Sequence, residues 1–266
     1  MIRKVWPLVV AAVALGIDAY VLAGILPQIA DSLATTVAMI GLGVTAFTAA
    51  YAVAGPLLSG RLARGSTARA LLLALGVFNL GNLITTIAPG VEVFLAARVI
   101  AGAGAGILTA VATATAAAMV SDQERGRAMA MVTFGLSTGT VAGVPLGMLI
   151  GQSAGWRWTM GLVVLIGVLS MAALAVRART LPRLDAAASE PAFRVLRVGK
   201  TSVGIVAAFL LGVASLGLYT YLLPMAESVG LADWGFALVW AWGIGGVTGS
   251  TLVGKRPDSL GSHTLG

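Results

Sequence analysis

The chain of 266 residues has no cysteine, one histidine and few charged residues. Without cysteine it can form no disulfide, thiol nucleophile or thiolate metal site, and a lone histidine, His263, is too little for a histidine-based metal site or proton relay. Charged residues make up 10% of the chain, whereas a soluble domain carries about 25% because water has to wet its surface. We therefore expect neither a soluble enzyme nor a bound metal or cofactor.

Long apolar runs fill most of the chain, which is 58% hydrophobic. A membrane helix needs about 20 mainly apolar residues to cross about 30 Å of hydrocarbon. Eight runs qualify: Val5–Leu26, Val37–Leu58, Ala68–Ile87, Val93–Val120, Ala128–Ile150, Trp158–Val176, Val203–Leu223 and Trp234–Val253. Helix is the one open structure that pairs every backbone N–H and C=O internally, so the predicted fold class is an all-α integral membrane protein. No run carries a Ser/Lys, paired-Asp or HExxH arrangement, and we expect no enzymatic activity.

Basic residues mark one side of the predicted membrane. Fifteen of the seventeen fall in loops on the same side: Arg3, Lys4, Arg61, Arg64, Arg69, Arg125, Arg127, Arg177, Arg179, Arg183, Arg194, Arg197, Lys200, Lys255 and Arg256. The opposite loops hold Arg157 alone. Cytoplasmic loops carry the excess of Lys and Arg, so we expect a multi-pass protein of the cell membrane with both termini in the cytoplasm. The net charge of +7 reflects this orientation and not nucleic-acid binding, since no contiguous basic face is present.

A polar linker divides the chain. Residues 178–200 form the only long connection and are predicted to be cytoplasmic. They separate an N-terminal bundle of six helices, 1–177, from a partial C-terminal bundle of two helices and a tail, 201–266.

An internal repeat is predicted across that linker. Leu-Pro pairs at Pro27 and Pro224 end the first and seventh predicted helices, and the two prolines are 197 residues apart. Gly60 and Gly254 follow the second and eighth predicted helices and are 194 residues apart. Parallel six-helix halves are an architecture of secondary transporters. Because prolines end helices in many proteins, a chance match is the alternative.

Two charged residues lie within predicted helices. Asp18 is about 12 Å from the outer end of the first helix and Arg98 about 8 Å from the outer end of the fourth, at 1.5 Å per residue. A carboxylate at that depth costs about 2.5–3.5 kcal/mol on insertion scales and needs a cavity or a partner. We predict that Asp18 and Arg98 face each other, either as a proton-coupling site or as a structural pair. Asn79 and Asn82, three residues apart on the third helix, either line a cavity or bond a neighbouring helix.

Three segments resemble the major facilitator superfamily, in its drug:proton antiporter branch. RVIAGAGAG, from Arg98 to Gly106, is similar to the fourth-helix motif, whose arginine is implicated in proton transfer. VLAGILPQIADSL, from Val21 to Leu33, is similar to the first helix of arabinose-efflux and chloramphenicol-resistance proteins. GTVAGVPLGMLIGQSAGWRW resembles the fifth-helix antiporter motif, whose pattern falls on Gly139, Gly143, Pro145 and Gly147. The resemblance implies a major-facilitator-type bundle in which this motif contributes to gating.

The family's loop motif is imperfectly kept. After the second helix Gly60 is in place, but Arg64 stands where the family has an aspartate. After the eighth helix Gly254, Asp258 and Gly261 match better. Family members have twelve helices, so the chain is expected to be truncated after its eighth.

The resemblance implies a secondary active transporter that exports small apolar compounds or drugs in exchange for protons. Its expected partners are a small-molecule substrate, protons and the lipid bilayer, and no oligomeric state is predicted. Two alternatives stay open, a sugar or metabolite exporter and a truncated fragment that does not transport.

Overall fold

A computed structural model describes residues 2–64, 66–184 and 199–254, and every regular element in these ranges is helical. The α-helices in chain order are α1 Ile2–Val21, α2 Leu26–Ser32, α3 Val37–Ala63, α4 Thr67–Ile87, α5 Val91–Ala118, α6 Arg125–Thr138, α7 Val144–Ala154, α8 Trp156–Val176, α9 Gly199–Ser228 and α10 Gly235–Gly254. Seven stretches of the described residues are long and apolar enough to cross a membrane. The eighth predicted run is the helix α10, part of whose side chains lie outside the described residues. The predicted all-α fold class is confirmed.

The first span is not the single helix that the sequence predicts. It ends as α1 at Val21, passes through one 3-10 turn and continues as the short helix α2. The predicted helix end at Pro27 is wrong, because Pro27 lies in the first turn of α2. A proline is tolerated there, since the first N–H groups of a helix have no partner within it.

Glycines bring α5 against its two neighbours. A Cβ at Gly102 would overlap the backbone of Phe47 on α3, and one at Gly104 would overlap the backbone of Phe78 on α4. Small residues at such positions let membrane helices approach closely enough for backbone contact. The fourth span is therefore held between the second and the third, and this fixes the position of Arg98 on α5.

A longer glycine contact joins the first and fifth spans. Every fourth residue of the fifth span from 135 to 151 is glycine and meets every fourth residue of the first span from 9 to 25. The facing pairs are Gly135 and Val9, Gly139 and Val13, Gly143 and Ile17, Gly147 and Val21, and Gly151 and Ile25. We call this contact the glycine seam.

A π turn, Gly139–Gly143, interrupts the fifth span inside the glycine seam. A spacing of four residues drifts by about 40° per step around an α-helix of 3.6 residues per turn. A π turn holds more residues per turn, so it reduces this drift and keeps the glycines facing α1. The π turn lies just before Pro145, which stands in the first turn of α7.

Arg157 joins three spans at one end of the bundle. It lies in the first turn of α8, and its guanidinium donates to Ser32 Oγ at 3.0 Å and to the Ala88 carbonyl at 3.1 Å. The one basic residue of the loops on this side therefore links the ends of α2, α4 and α8.

The seventh span also differs from its prediction. Helix α9 continues through Pro224 to Ser228, so its predicted end at Leu223 is wrong. Pro27 and Pro224 thus occupy different positions in their helices, so these two prolines do not mark equivalent points of the predicted repeat. Within the predicted linker, residues 178–184 are described and Leu184 N–H donates to Thr67 Oγ1 at 3.2 Å. Residues 185–198 lie outside the described ranges, and the domain boundaries stay a prediction.

Candidate functional site

The structure brings Asp18 and Arg98 together, as their similar depths predicted. Arg98 Nη1 on α5 lies 2.7 Å from Asp18 Oδ1 on α1, and the two side chains are 1% and 0% exposed. Charges removed from water each carry an effective penalty of several kcal/mol, which their attraction offsets only when the geometry is good and further hydrogen bonds satisfy the remaining atoms. The surroundings of this pair therefore decide whether it is stable.

Asn82 on α4 supplies further hydrogen bonds to both charged groups, while Arg98 Nε has no partner among the described residues. Its Nδ2 donates to Asp18 Oδ2 at 3.2 Å, and its Oδ1 accepts from Arg98 Nη1 at 3.1 Å. Nδ2 also donates to the carbonyl of Phe78, one turn earlier, at 3.1 Å. Of the two interpretations of Asn82, the bond to neighbouring helices is the one observed. We call Asp18, Asn82 and Arg98 the polar triad.

Helix α3 closes the triad on its apolar side. The Arg98 guanidinium carbon lies 4.4 Å from the centroid of the Phe47 ring, a cation–π contact. Gly43, one turn earlier on α3, leaves room first for the Phe94 ring, which a Cβ there would overlap, and then for the arginine, whose Cγ would lie 3.3 Å from that Cβ. Sequence reasoning missed Phe47 and Gly43, because neither belongs to a motif and only the helix packing brings them to Arg98.

Asn79 does not join the triad. Its side chain is buried against Gly167 of α8, and its amide has no hydrogen-bond partner among the described residues. Neither Asn79 nor Asn82 lines the cavity described next, and their cavity-lining role stays a prediction.

A cavity of about 490 Å³ lies beside the triad. It is formed by the first, fifth, seventh and eighth spans, and its lining residues are Tyr20, Leu136, Ser137, Thr140, Val141, Ser215, Ala241, Trp242, Gly243 and Gly245. Every one of them is uncharged. Tyr20 follows Asp18 by two residues on α1, so the charged pair lies behind the cavity wall and not in it.

Aromatic rings form the contact across this cavity. Tyr219 on α9 packs edge-on against Tyr20, with ring centroids 5.1 Å apart, and against Trp242 at 5.6 Å. Tyr219 is buried, and its hydroxyl has no partner among the described residues. Sequence reasoning gave no role to these rings, because residues about 200 positions apart leave no local pattern.

The antiporter motif links the triad region to the cavity. Gly139, Gly143 and Gly147 lie in the glycine seam, where Gly143 contacts Ile17, the residue before Asp18. From the same π turn, Thr140 and Val141 line the cavity. One turn of helix therefore touches α1 beside the buried carboxylate on one side and the cavity on the other.

The loop motif is only partly described. Gly60 lies within α3, Arg64 is exposed at its end, and Gly254 is the last residue of α10. Asp258 and Gly261 lie outside the described residues, so their predicted role stays a prediction. Among the described residues no group of three or more His, Asp or Glu side chains could hold a metal ion.

A family model and several known proteins match this chain and point to the same family. The model of the Major Facilitator Superfamily matches residues 8–266. An uncharacterized MFS-type transporter of Bacillus subtilis, YbcL, is 32% identical, and a chloramphenicol resistance protein of Streptomyces lividans is 35% identical. Each alignment covers 97% of this chain and 67% of the relative, so the chain spans about two thirds of their length.

Solved structures share the fold at low sequence identity. A bacterial homolog of the human lysosomal transporter Spinster superposes with a TM-score of 0.72 at 20% identity, over 96% of this chain and 63% of that one. The xylose transporter XylE of E. coli, in a partially occluded inward-open conformation, superposes with a TM-score of 0.66 at 14% identity, over 97% and 73%. The predicted helix bundle is thereby confirmed.

Proposed function

Since this chain belongs to the Major Facilitator Superfamily, we propose that it carries out proton-coupled export of small uncharged compounds. The observation that supports coupling is the buried ion pair of Asp18 and Arg98, 2.7 Å apart behind the cavity wall. Proton uptake by Asp18 replaces the pair with a neutral acid and an unbalanced guanidinium.

The change in charge biases the conformation of the bundle. A buried charge that loses its partner is strongly destabilising, so a conformation in which Arg98 is better solvated gains population when Asp18 is neutral. A ligand or proton shifts such an equilibrium only by its differential affinity for the two conformations. The seam between α1 and the π turn carries the shift from Asp18 to the cavity wall, because Gly143 touches Ile17 and Val141 faces the cavity.

The cavity lining supports an uncharged, partly aromatic compound. Trp242 and Tyr20 offer ring faces and edges, and Ser137, Thr140 and Ser215 offer hydroxyl groups, with no charged side chain in the lining. A charged compound would leave water for a site without a counter-charge, which is costly. The chloramphenicol resistance protein among the relatives suggests a probe compound of this class.

Orientation and location follow from the distribution of basic residues. We propose a cell-membrane protein with both termini in the cytoplasm, because the sequence predicts fifteen of the seventeen Lys and Arg residues on one side of the membrane. The Arg157 end of the bundle is then outside. The polar residues 178–200 are the proposed boundary between the two halves.

Replacement of the carboxylate tests the coupling. Cells that express the chain should accumulate less chloramphenicol than cells without it, and Asp18→Asn should abolish that difference while membrane insertion is unchanged. Asp31→Asn is the matched control, because Asp31 is exposed at the end of α2. Efflux by Asp18→Asn at the wild-type level under a pH gradient would remove Asp18 from the mechanism. A wild-type chain that does not lower accumulation would contradict transport by this chain, and a panel with sugars distinguishes sugar export.

A further inference from the structure

Arg98 has two oxygen partners from two different helices. Its Nη1 donates to Asp18 Oδ1 on α1 at 2.7 Å and to Asn82 Oδ1 on α4 at 3.1 Å. The first partner loses its charge when Asp18 takes up a proton, whereas the second is an amide whose state does not change with pH. The guanidinium therefore keeps a hydrogen-bond acceptor at the same nitrogen in both protonation states.

We propose that Asn82 is a positioning residue that holds Arg98 in place while Asp18 is protonated. The inference rests on the proposed function, in which Asp18 gains and loses a proton. In the conformation described here Arg98 is 1% exposed, so water does not replace a lost partner before the bundle changes conformation. Asn82 and the face of the Phe47 ring, 4.4 Å from the guanidinium carbon, remain as its partners. The arginine then stays where Asp18 can pair with it again.

The orientation of the Asn82 amide is fixed by its own contacts. Its NH₂ group donates to the Phe78 carbonyl and to Asp18 Oδ2, and both acceptors lack protons to donate when Asp18 is ionised. The opposite orientation would place the NH₂ group against the Arg98 guanidinium and leave the Phe78 carbonyl facing an oxygen. The oxygen of Asn82 is thus directed at Arg98 before any proton arrives.

No other counter-charge competes for this role among the described residues. The other titratable side chains of the surrounding helices are two tyrosines and residues in the first or last helical turns: Tyr20, Tyr51, Arg61, Arg69, Glu92, Arg125, Arg127 and Arg157, with Arg3 and Lys4 in the first turn of α1 by sequence. Asp18 is the carboxylate that pairs with Arg98. When it is neutral, the nearest fixed acceptor is Asn82.

Asn79 offers a matched control one turn away. It has the same side chain on the same helix, it is 7% exposed where Asn82 is 0% exposed, and its amide has no hydrogen-bond partner among the described residues. A leucine at either position removes an amide of similar size from a buried site. The two substitutions differ in whether the amide touches Arg98.

A double-mutant cycle on thermal unfolding tests the proposal without any transport assay. Asp18→Asn stands for the neutral acid and is combined with Asn82→Leu or with Asn79→Leu in the purified full chain. The unfolding temperature of Asp18→Asn/Asn82→Leu should lie at least about 3 °C below the value obtained by adding the shifts of the two single variants to the wild-type temperature. The unfolding temperature of Asp18→Asn/Asn79→Leu should agree with the corresponding sum within about 2 °C. Additivity in both cycles would overturn the proposal.

An exchange of the two side chains separates positioning of Arg98 from packing. Asp18→Asn/Asn82→Asp returns a carboxylate to Arg98 from the α4 side and should unfold within about 2 °C of wild type. Asn82→Asp alone brings two carboxylates to one guanidinium and should unfold at a lower temperature. If Asn82→Leu alone fails to insert, the exchanged variant decides: wild-type-like unfolding supports the proposal, and failure to fold overturns it. These unfolding experiments use no proton gradient and no compound. If the chain shows no efflux, the proposed function is contradicted, but the unfolding temperatures still test whether Asn82 positions Arg98.

Discussion

The first six spans, α1 to α8, and the seventh span, α9, differ in how their apolar residues and glycines are packed. In the first six spans, between 33% and 67% of the residues in the apolar 18-residue stretch are buried, against 12% in α9. Glycines of the fifth span meet the atoms of α1, whereas a Cβ at Gly204, Gly212 or Gly217 of α9 would meet nothing within 4 Å. The six-span part is therefore a closely packed frame that holds the charged pair. Helix α9 touches this frame at Tyr219 beside the cavity and at Tyr221, whose hydroxyl would lie 2.8 Å from a Cβ at Gly41 of α3.

Loss of the buried arginine should have the largest effect on stability. Arg98→Leu leaves Asp18 without its counter-charge inside the frame, and removal of one partner of a buried pair costs about 3–5 kcal/mol. Arg125→Leu is the matched control, because Arg125 pairs with Asp122 at 2.9 Å with the two side chains 58% and 79% exposed. An exposed pair contributes about 0–1 kcal/mol. Chemical unfolding of both variants in detergent measures the difference.

Equal losses for these two arginines would contradict the picture of a dry frame. A small loss for Arg98→Leu alone would mean that Asp18 is solvated or neutral in the folded chain.

The glycine seam predicts a second, smaller contrast. A leucine at Gly139 would overlap the carbonyl of Val13, and overpacking of this kind costs about 1–3 kcal/mol. A leucine at Gly217 points into open space and removes a flexible glycine from a helix, which stabilises by about 0.5–1 kcal/mol. Thermal unfolding of Gly139→Leu and Gly217→Leu should therefore shift in opposite directions. A Gly217→Leu loss as large as that of Gly139→Leu would show that α9 is packed as closely as the frame.

Residues whose contacts follow from helix periodicity and depth were predictable. Asp18 and Arg98 could be paired from the sequence because a buried charge needs an opposite charge at a similar depth. Asn82 could be narrowed to two roles but not decided, since a helix face can be assigned without knowing which neighbour covers it. Gly139, Gly143 and Gly147 were recognised from their spacing, and the structure places all three against α1.

Other features depend on packing that local sequence does not encode. The π turn at 139–143 resolves a mismatch between four-residue spacing and the helical repeat, which appears only when the fifth span lies against α1. Pro224 was predicted to end a helix, yet α9 continues through it; a membrane helix tolerates proline when local adjustments satisfy the freed carbonyl. Tyr219 meets Tyr20 and Trp242 from distant parts of the chain, so no motif announces the contact.

Proton release on compound binding tests the coupling of Asp18 most directly. If the proton and the compound compete for one conformation, each weakens the binding of the other by the same factor. Addition of an uncharged aromatic compound to the purified chain, in weak buffer with a pH-sensitive dye, should release up to about one proton per wild-type chain and none from Asp18→Asn. Equal proton release from wild type and Asp18→Asn would contradict the assignment of the coupling proton to this carboxylate.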